Sequence, residues 1–147
     1  MCGIAGLFDT RGARSFEPGL LGRMTDLIAH RGPDGSGLHQ EPGVGLGHRR
    51  LAIIDIGGGH QPMHTADRAL SVVFNGEIYN FLELRAELEA KGAQFVSRSD
   101  TEVLLHGWRI WGEAMLPKLQ GMFAFALWDA AEQTLILARD RFGKKPI

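Results

Sequence analysis

The only cysteine of the 147-residue chain is its second residue, directly behind the initiator methionine. Loss of Met1 before so small a residue would leave Cys2 with a free α-amino group, so that thiol and base belong to one residue. An α-amino group titrates at about 7.7–8.0 and a thiol at about 8.5. Near neutral pH the amine can therefore accept the thiol proton, directly or through a water, with no histidine needed. A lone cysteine elsewhere is more often an inert buried side chain; it is the position that changes the reading here. A nucleophile of this kind also needs donors aimed at an oxyanion. The segment FNGEIYN offers the amide of Asn75 followed by Gly76, where the backbone can approach closely. Asn-Gly is also the strongest short turn signal, and the dipeptide alone favours the turn.

The elements around these residues are short. CGIAGLF reads as a strand. EPGLLGRMTDLIAH sets Leu20, Leu21, Met24, Leu27 and Ile28 on one helical face, with Pro18 near its start. RGPDGSG, residues 31–37, has the composition of a loop. VGLGHRRLAIID and ALSVVFNG read as strands. NFLELRAELEAKG reads as a helix with Asn80 as N-cap, Glu83 three residues on and Gly92 as its stop. QFVS is a short strand by pattern. SDTEVLLHGWRIWG opens on a cap signature and continues as an apolar helix. MFAFALWD and TLILARD, joined by AAEQ, form a hairpin by pattern. Strands precede and follow helices without strict alternation, which predicts an α+β fold with helices outside the sheets.

Bulk properties exclude several classes. The length suits one domain, and 44% hydrophobic with 22% charged residues is ordinary globular composition. A net charge of −1 gives no electrostatic footprint for nucleic acid or an anionic membrane. No apolar run approaches the ~18 residues of a membrane span, and the N-terminus lacks a signal-peptide pattern. A single cysteine rules out an internal disulfide and favours the cytoplasm. His60 and His64 are four apart, but Pro62 between them breaks the helix that a zinc motif of that spacing needs. GGGH and FGKKP lack the full phosphate-loop pattern. The tryptophans at 108, 111 and 128 fall in apolar patterns as core or interface, and the RDRFGKKP charges read as a solvated turn or an ion-pair loop.

MCGIAGLFD, RGPDGSG, RRLAIIDI with QPM, FNGEIYN, SRSDTEVLL, GMFAFALWD and ARDRFGKKP occur in that order. Together they resemble the glutaminase domain of the glutamine-hydrolysing asparagine synthetases, class II glutamine amidotransferases, over nearly the whole chain. The resemblance implies a four-layer αββα sandwich of the N-terminal nucleophile hydrolases. It implies that Cys2 attacks the side-chain amide of glutamine and forms a thioester, with the oxyanion on the Asn75 amide and the Gly76 N–H. By the same resemblance Arg50 binds the substrate α-carboxylate, for which a guanidinium fork is suited, and Asp100 receives the α-ammonium. Arg49 is the register alternative to Arg50, although neighbours on a strand face opposite ways. Asp100 has a structural alternative as helix N-cap, a role Ser99 could equally fill. Leu51, Ile53, Ile54 and Glu77 would line the pocket mainly through backbone, and Arg31 to Asp34 would shape it.

The resemblance further implies a chain that is C-terminally incomplete for this domain and lacks the synthetase domain normally fused to it. No cofactor is expected in this chain; ATP and Mg would belong to the synthetase domain. Expected partners are glutamine as a small-molecule substrate and that synthetase domain, with a homodimer an option and neither nucleic acid nor membrane. Two other readings stand beside this one. The glutaminase could serve another acceptor, such as a sugar or polysaccharide, or the chain could be a non-catalytic glutamine-binding or scaffold module.

Overall fold

The computed structural model describes residues 2–11, 15–55 and 57–147. Strand β1 (Gly3–Phe8) leads into helix α1 (Leu20–Leu27), which ends in a 3-10 turn over Ala29–Arg31. A hairpin follows, β2 (Gly35–Glu41) and β3 (Val44–Arg50). Then come β4 (Met63–His64), β5 (Leu70–Ile78), helices α2 (Phe81–Glu89) and α3 (Thr101–Trp111), and the hairpin β6 (Gly121–Asp129) and β7 (Thr134–Arg139). β3 lies between β1 and β2 in one antiparallel sheet, and the second sheet runs β4-β5-β6-β7. The expected α+β class is what the chain adopts.

Side-chain parity explains the layering. Along β3, Val44 and Leu46 face the second sheet and join Val73, Ala126 and Trp128 in a core between the sheets. Their neighbours Gly45 and Gly47 face α1, close against Leu21 and Thr25. Along β5, Val72, Phe74 and Ile78 face the other way and pack with Leu84 and Leu88 of α2 and Val103, Leu104 and Leu105 of α3. The order is therefore helix, sheet, sheet, helices, the αββα sandwich.

Several local expectations are corrected. Asn75-Gly76 is no turn: β5 runs through it, with Asn75 opposite Ala124 and Gly76 opposite Phe123. The stretch 31–37 is not wholly loop, because Gly35, Ser36 and Gly37 pair with β3 as the start of β2. β3 stops at Arg50 rather than running on to Asp55. QFVS forms no strand; the Val96 and Ser97 N–H groups donate to the Glu102 carboxylate at 2.9 and 2.7 Å in place of a ladder. On α1, Leu21 and Thr25 are buried while Leu27 is 79% exposed, so the apolar face is narrower than its pattern. Asn80 precedes α2 but does not cap it with its side chain; its amide bridges Lys118 O and Gln120 N instead.

Candidate active site

Successive residues of an antiparallel strand turn N–H and C=O to opposite edges. Directly after β5, Tyr79 N–H donates to Gln120 O on the β6 side at 2.7 Å, while at the start of β5 Leu70 O accepts from Thr65 N–H on the β4 side at 3.0 Å. Phe74, Gly76 and Ile78 share the parity of Leu70 and so face away from β6. β4 pairs only as far as Met63 opposite Val72. Beyond that point side chains take over the edge. Phe74 N–H donates to Gln61 Oε1 at 2.6 Å, and Ile78 N–H to Asp100 Oδ2 at 3.0 Å. Between them the Gly76 N–H turns to the same edge, and Gly76 lines a cleft there. A Cβ on Gly76 would lie 2.2 Å from Met122 O, so only glycine fits this strand so close to β6.

The cleft brings together Cys2, Arg50, Leu51, Ile53, Ile54, Asn75, Gly76, Glu77 and Asp100, which are the residues singled out from the sequence. Its volume is about 90 Å³. One water needs roughly 10–15 Å³ on that measure, so the cleft suits a molecule of amino-acid size. Cys2 is half-buried at the head of β1. Its Sγ accepts from Leu51 N–H at 3.4 Å and lies 3.6 Å from Leu51 O. Arg31 Nε donates to Cys2 O at 3.1 Å, and Asp34 Oδ2 accepts from Ala52 N–H at 2.8 Å. Residues 31–34 thus brace the site from behind instead of lining it. A Cβ on Gly32 would sit 2.4 Å from the Arg49 carbonyl, which is why this segment can run against the end of β3. The expected loss of Met1 concerns a residue outside those described.

Arg49 and Arg50 separate as neighbours on a strand must. Arg49 reaches α1, where Nε donates to Thr25 O at 3.2 Å and the guanidinium pairs with Asp26. Arg50 turns inward and is 7% exposed. Its Nη2 donates to Asp55 O at 2.7 Å and Ile54 O at 3.3 Å, which anchors the guanidinium at the cleft wall.

Asp100 does not cap α3 with its side chain. The Ser99 hydroxyl accepts from Thr101 N–H at 3.2 Å, as a cap would, while the Asp100 carboxylate faces β5. Burial raises its pKa above the ordinary carboxylate value, and the nearby Glu77 charge raises it further against the opposing Ile78 N–H bond. Arg50 and Lys145 bring positive charge to the cleft, Glu77 and Asp100 negative charge.

The sequence reading missed Gln61, Thr101 and Lys145, which also line the cleft. Gln61 stood in QPM without a role. Lys145 stood in the charge run read as a solvated turn or ion-pair loop; it is 3% exposed and Asp140 4%, so this part of the run is not solvated. The Asp140 carboxylate gathers the N–H groups of Phe123, Phe142, Lys144 and Lys145, folding the run inward. Among the described residues no cluster of His, Cys, Asp or Glu could hold a metal ion.

A cysteine at position 2 sharing a cleft with Asn75 and the edge-facing Gly76, in an αββα sandwich, is the arrangement of an amidotransferase of the N-terminal nucleophile class. The model of the glutamine amidotransferase domain matches residues 1–147, and the chain belongs to that family. Among curated relatives it is 46% identical to asparagine synthetase [glutamine-hydrolyzing] 1 of Bacillus subtilis, over 100% of this chain and 24% of that protein. It is 47% identical to asparagine synthetase 3 of the same organism over 99% of this chain, and 40% identical to the asparagine synthetase of Zea mays over all of it. The chain thus spans about a quarter of the length of these relatives. A solved structure of glutamine phosphoribosylpyrophosphate amidotransferase from B. subtilis, complexed with ADP and GMP, aligns with a TM-score of 0.55 at 29% identity. It covers 68% of this chain and 24% of that one.

Proposed function

We propose that this chain hydrolyses glutamine to glutamate and ammonia through a Cys2 thioester. The observation carrying the reading is the single cleft shared by the Cys2 thiol, the edge-facing Gly76 and two opposite charges, Arg50 and Asp100. Arg50 takes the glutamine α-carboxylate and Asp100 the α-ammonium, which directs the side-chain amide toward Cys2. Sγ attacks the amide carbon while the thiol proton passes to the Cys2 α-amine. The Asn75 side-chain amide and the Gly76 N–H donate to the oxyanion. Collapse breaks the C–N bond, the amine returns its proton to the departing nitrogen, and ammonia leaves. Water then attacks the thioester, releasing glutamate and restoring the thiol.

The relatives' names support asparagine synthesis from aspartate as the destination of the ammonia, in a synthetase unit that would itself use ATP and Mg. In this reading the chain works in the cytoplasm on a small-molecule substrate, with neither nucleic acid nor membrane; among the described residues no helix is long and apolar enough to cross one. A homodimer is compatible with it. The test is ammonia release from glutamine by the purified chain, with intact mass read on the active fraction. Activity that vanishes in Cys2→Ala, in protein lacking one methionine, supports the mechanism. Undiminished hydrolysis by Cys2→Ala refutes it, and active protein retaining Met1 refutes the self-contained base.

A further inference from the structure

The Phe74 backbone lies one residue before Asn75, on an edge where the neighbouring strand has ended. Continuing the β4–β5 register by two residues puts Gln61 opposite Phe74. The chain has left the ladder there, and the Gln61 side chain fills the gap, taking Phe74 N–H on Oε1 at 2.6 Å. The Phe74 carbonyl is met from the other sheet, by His48 Nε2 at 3.2 Å. Both polar groups of this residue are therefore held by side chains, from two different elements.

Each of those side chains is tied to a residue of the substrate cleft. Gln61 Nε2 donates to Thr101 Oγ1 at 3.3 Å, beside Asp100 at the start of α3. His48 precedes Arg50 by two on β3, so the two share a face. A carbonyl only accepts, so His48 must carry its proton on Nε2. The ring is fully buried, and its Nδ1 has no hydrogen-bond partner among the described residues. Burial lowers its pKa to about 4, so it is a neutral donor at working pH. Phenylalanine would fill the space without leaving a buried ring nitrogen unsatisfied. What histidine adds is the bond to Phe74 O.

We infer that His48 and Gln61 are positioning residues that fix the two peptide units flanking Phe74, Gln61 the Val73–Phe74 unit and His48 the Phe74–Asn75 unit, and thereby aim the Asn75 amide and Gly76 N–H at the reacting carbonyl. This deepens the proposed glutaminase reading and rests on it. Neither side chain need touch glutamine. Displacing a catalytic donor by about 1 Å can cost on the order of 10²-fold in rate. Loss of either clamp should therefore act on kcat more than on substrate affinity.

The experiment compares His48→Phe and Gln61→Met, which remove the bonds while filling the space, with His48→Gln and Gln61→Glu, which keep a donor and an acceptor in reach. Steady-state kinetics with glutamine give kcat and KM. Calorimetry in a Cys2→Ala background gives the glutamine Kd without turnover. Hydrogen exchange reports on the amides of Phe74 and Gly76. Expected are kcat losses of roughly 10- to 100-fold in His48→Phe and Gln61→Met, a Kd within about threefold of the parent, faster exchange at Phe74 and Gly76, and recovery of most of the rate in the conservative pair. The two variants lie on separate elements, so if one fails to fold the other carries the test. Wild-type kcat in both, unchanged exchange, or a Kd loss as large as the kcat loss overturns the inference. Activity surviving Cys2→Ala would overturn the glutaminase reading instead, and the exchange rates would still report on the clamp.

Discussion

Gly76→Ala tests the placement of the oxyanion edge most directly. A Cβ at this position would meet Met122 O at 2.2 Å, Phe123 Cα at 2.7 Å and Phe123 Cβ at 3.0 Å. Two of those atoms are backbone of the paired strand β6, so no rotamer change relieves the contact. Ordinary contact begins at 3.4 Å, which leaves Met122 O short by 1.2 Å. β5 must move away from β6 by about that distance, and the Gly76 N–H moves with it. An error of about 1 Å in a reacting group can cost on the order of 10²-fold, and losing an oxyanion donor outright costs roughly 10²–10³-fold in kcat. We expect kcat for glutamine to fall by about 10²-fold or more, with an overpacking cost of about 1–3 kcal/mol in stability. Ammonia release under saturating glutamine reads the first and thermal melting the second. Gly107→Ala is the control. Its Cβ would meet Met115 Sδ at 2.6 Å, on a flexible side chain behind α3, so it should cost stability and leave kcat near wild type. A folded Gly76→Ala protein with undiminished kcat would refute the reasoning, because the strand would then tolerate the shift or the N–H would not be used.

Three further outcomes are expected. Arg50→Ala should lose discrimination between glutamine and its α-amide analogue in kcat/KM, by roughly tenfold or more for one charge-assisted contact of about 1.5–3 kcal/mol; Arg49→Ala, whose guanidinium is directed to Thr25 and Asp26 of α1, should keep it, and the reverse pattern would move the carboxylate contact to Arg49. Asp100 must be ionised to hold the α-ammonium, and its pKa is raised by burial. The glutamine KM should therefore climb on acidification before ordinary carboxylates titrate, and Asp100→Asn should remove that limb of the pH profile; an identical limb in the variant would assign it to another group. His48 falls from 6.5 to about 4 on folding through burial, so its contribution is fully present above 6.5 and is lost as pH falls toward 4. That contribution is about 3 kcal/mol. Half-buried His64, lowered to about 4 chiefly by desolvation, adds a smaller contribution of the same sign, and Asp100 works in the opposite sense. Denaturant melts from pH 7 to 4.5 should show a shallower decline in His48→Gln, and parallel curves would contradict the assignment.

The candidate nucleophile could be named from the sequence because its argument is local. Once Met1 is removed, a cysteine at position 2 would hold thiol and amine within one residue, whatever the fold. The hairpin of β6 and β7 was equally legible, since two apolar runs joined by AAEQ leave few other pairings. The candidate cleft residues followed from motifs in order, and the tertiary structure gathers them in one place. What the fold decided were the choices between local alternatives. Asn-Gly became strand instead of turn because β6 pairs across it, and pairing outweighs turn propensity. QFVS lost its strand to the Glu102 carboxylate, which satisfies its N–H groups from one turn of helix. Asp100 stands at the N-cap of α3 but its carboxylate turns to Ile78 N–H, on an edge that β4 does not reach. Lys145 went inside because Asp140 folds the charged run back on itself. Gln61 and His48 acquired partners only where two elements distant in the chain meet at Phe74. A sequence carries the residue types that can donate and accept; which of them meet is fixed by long-range pairing, because each buried polar group must be satisfied by whatever the fold brings within about 3 Å.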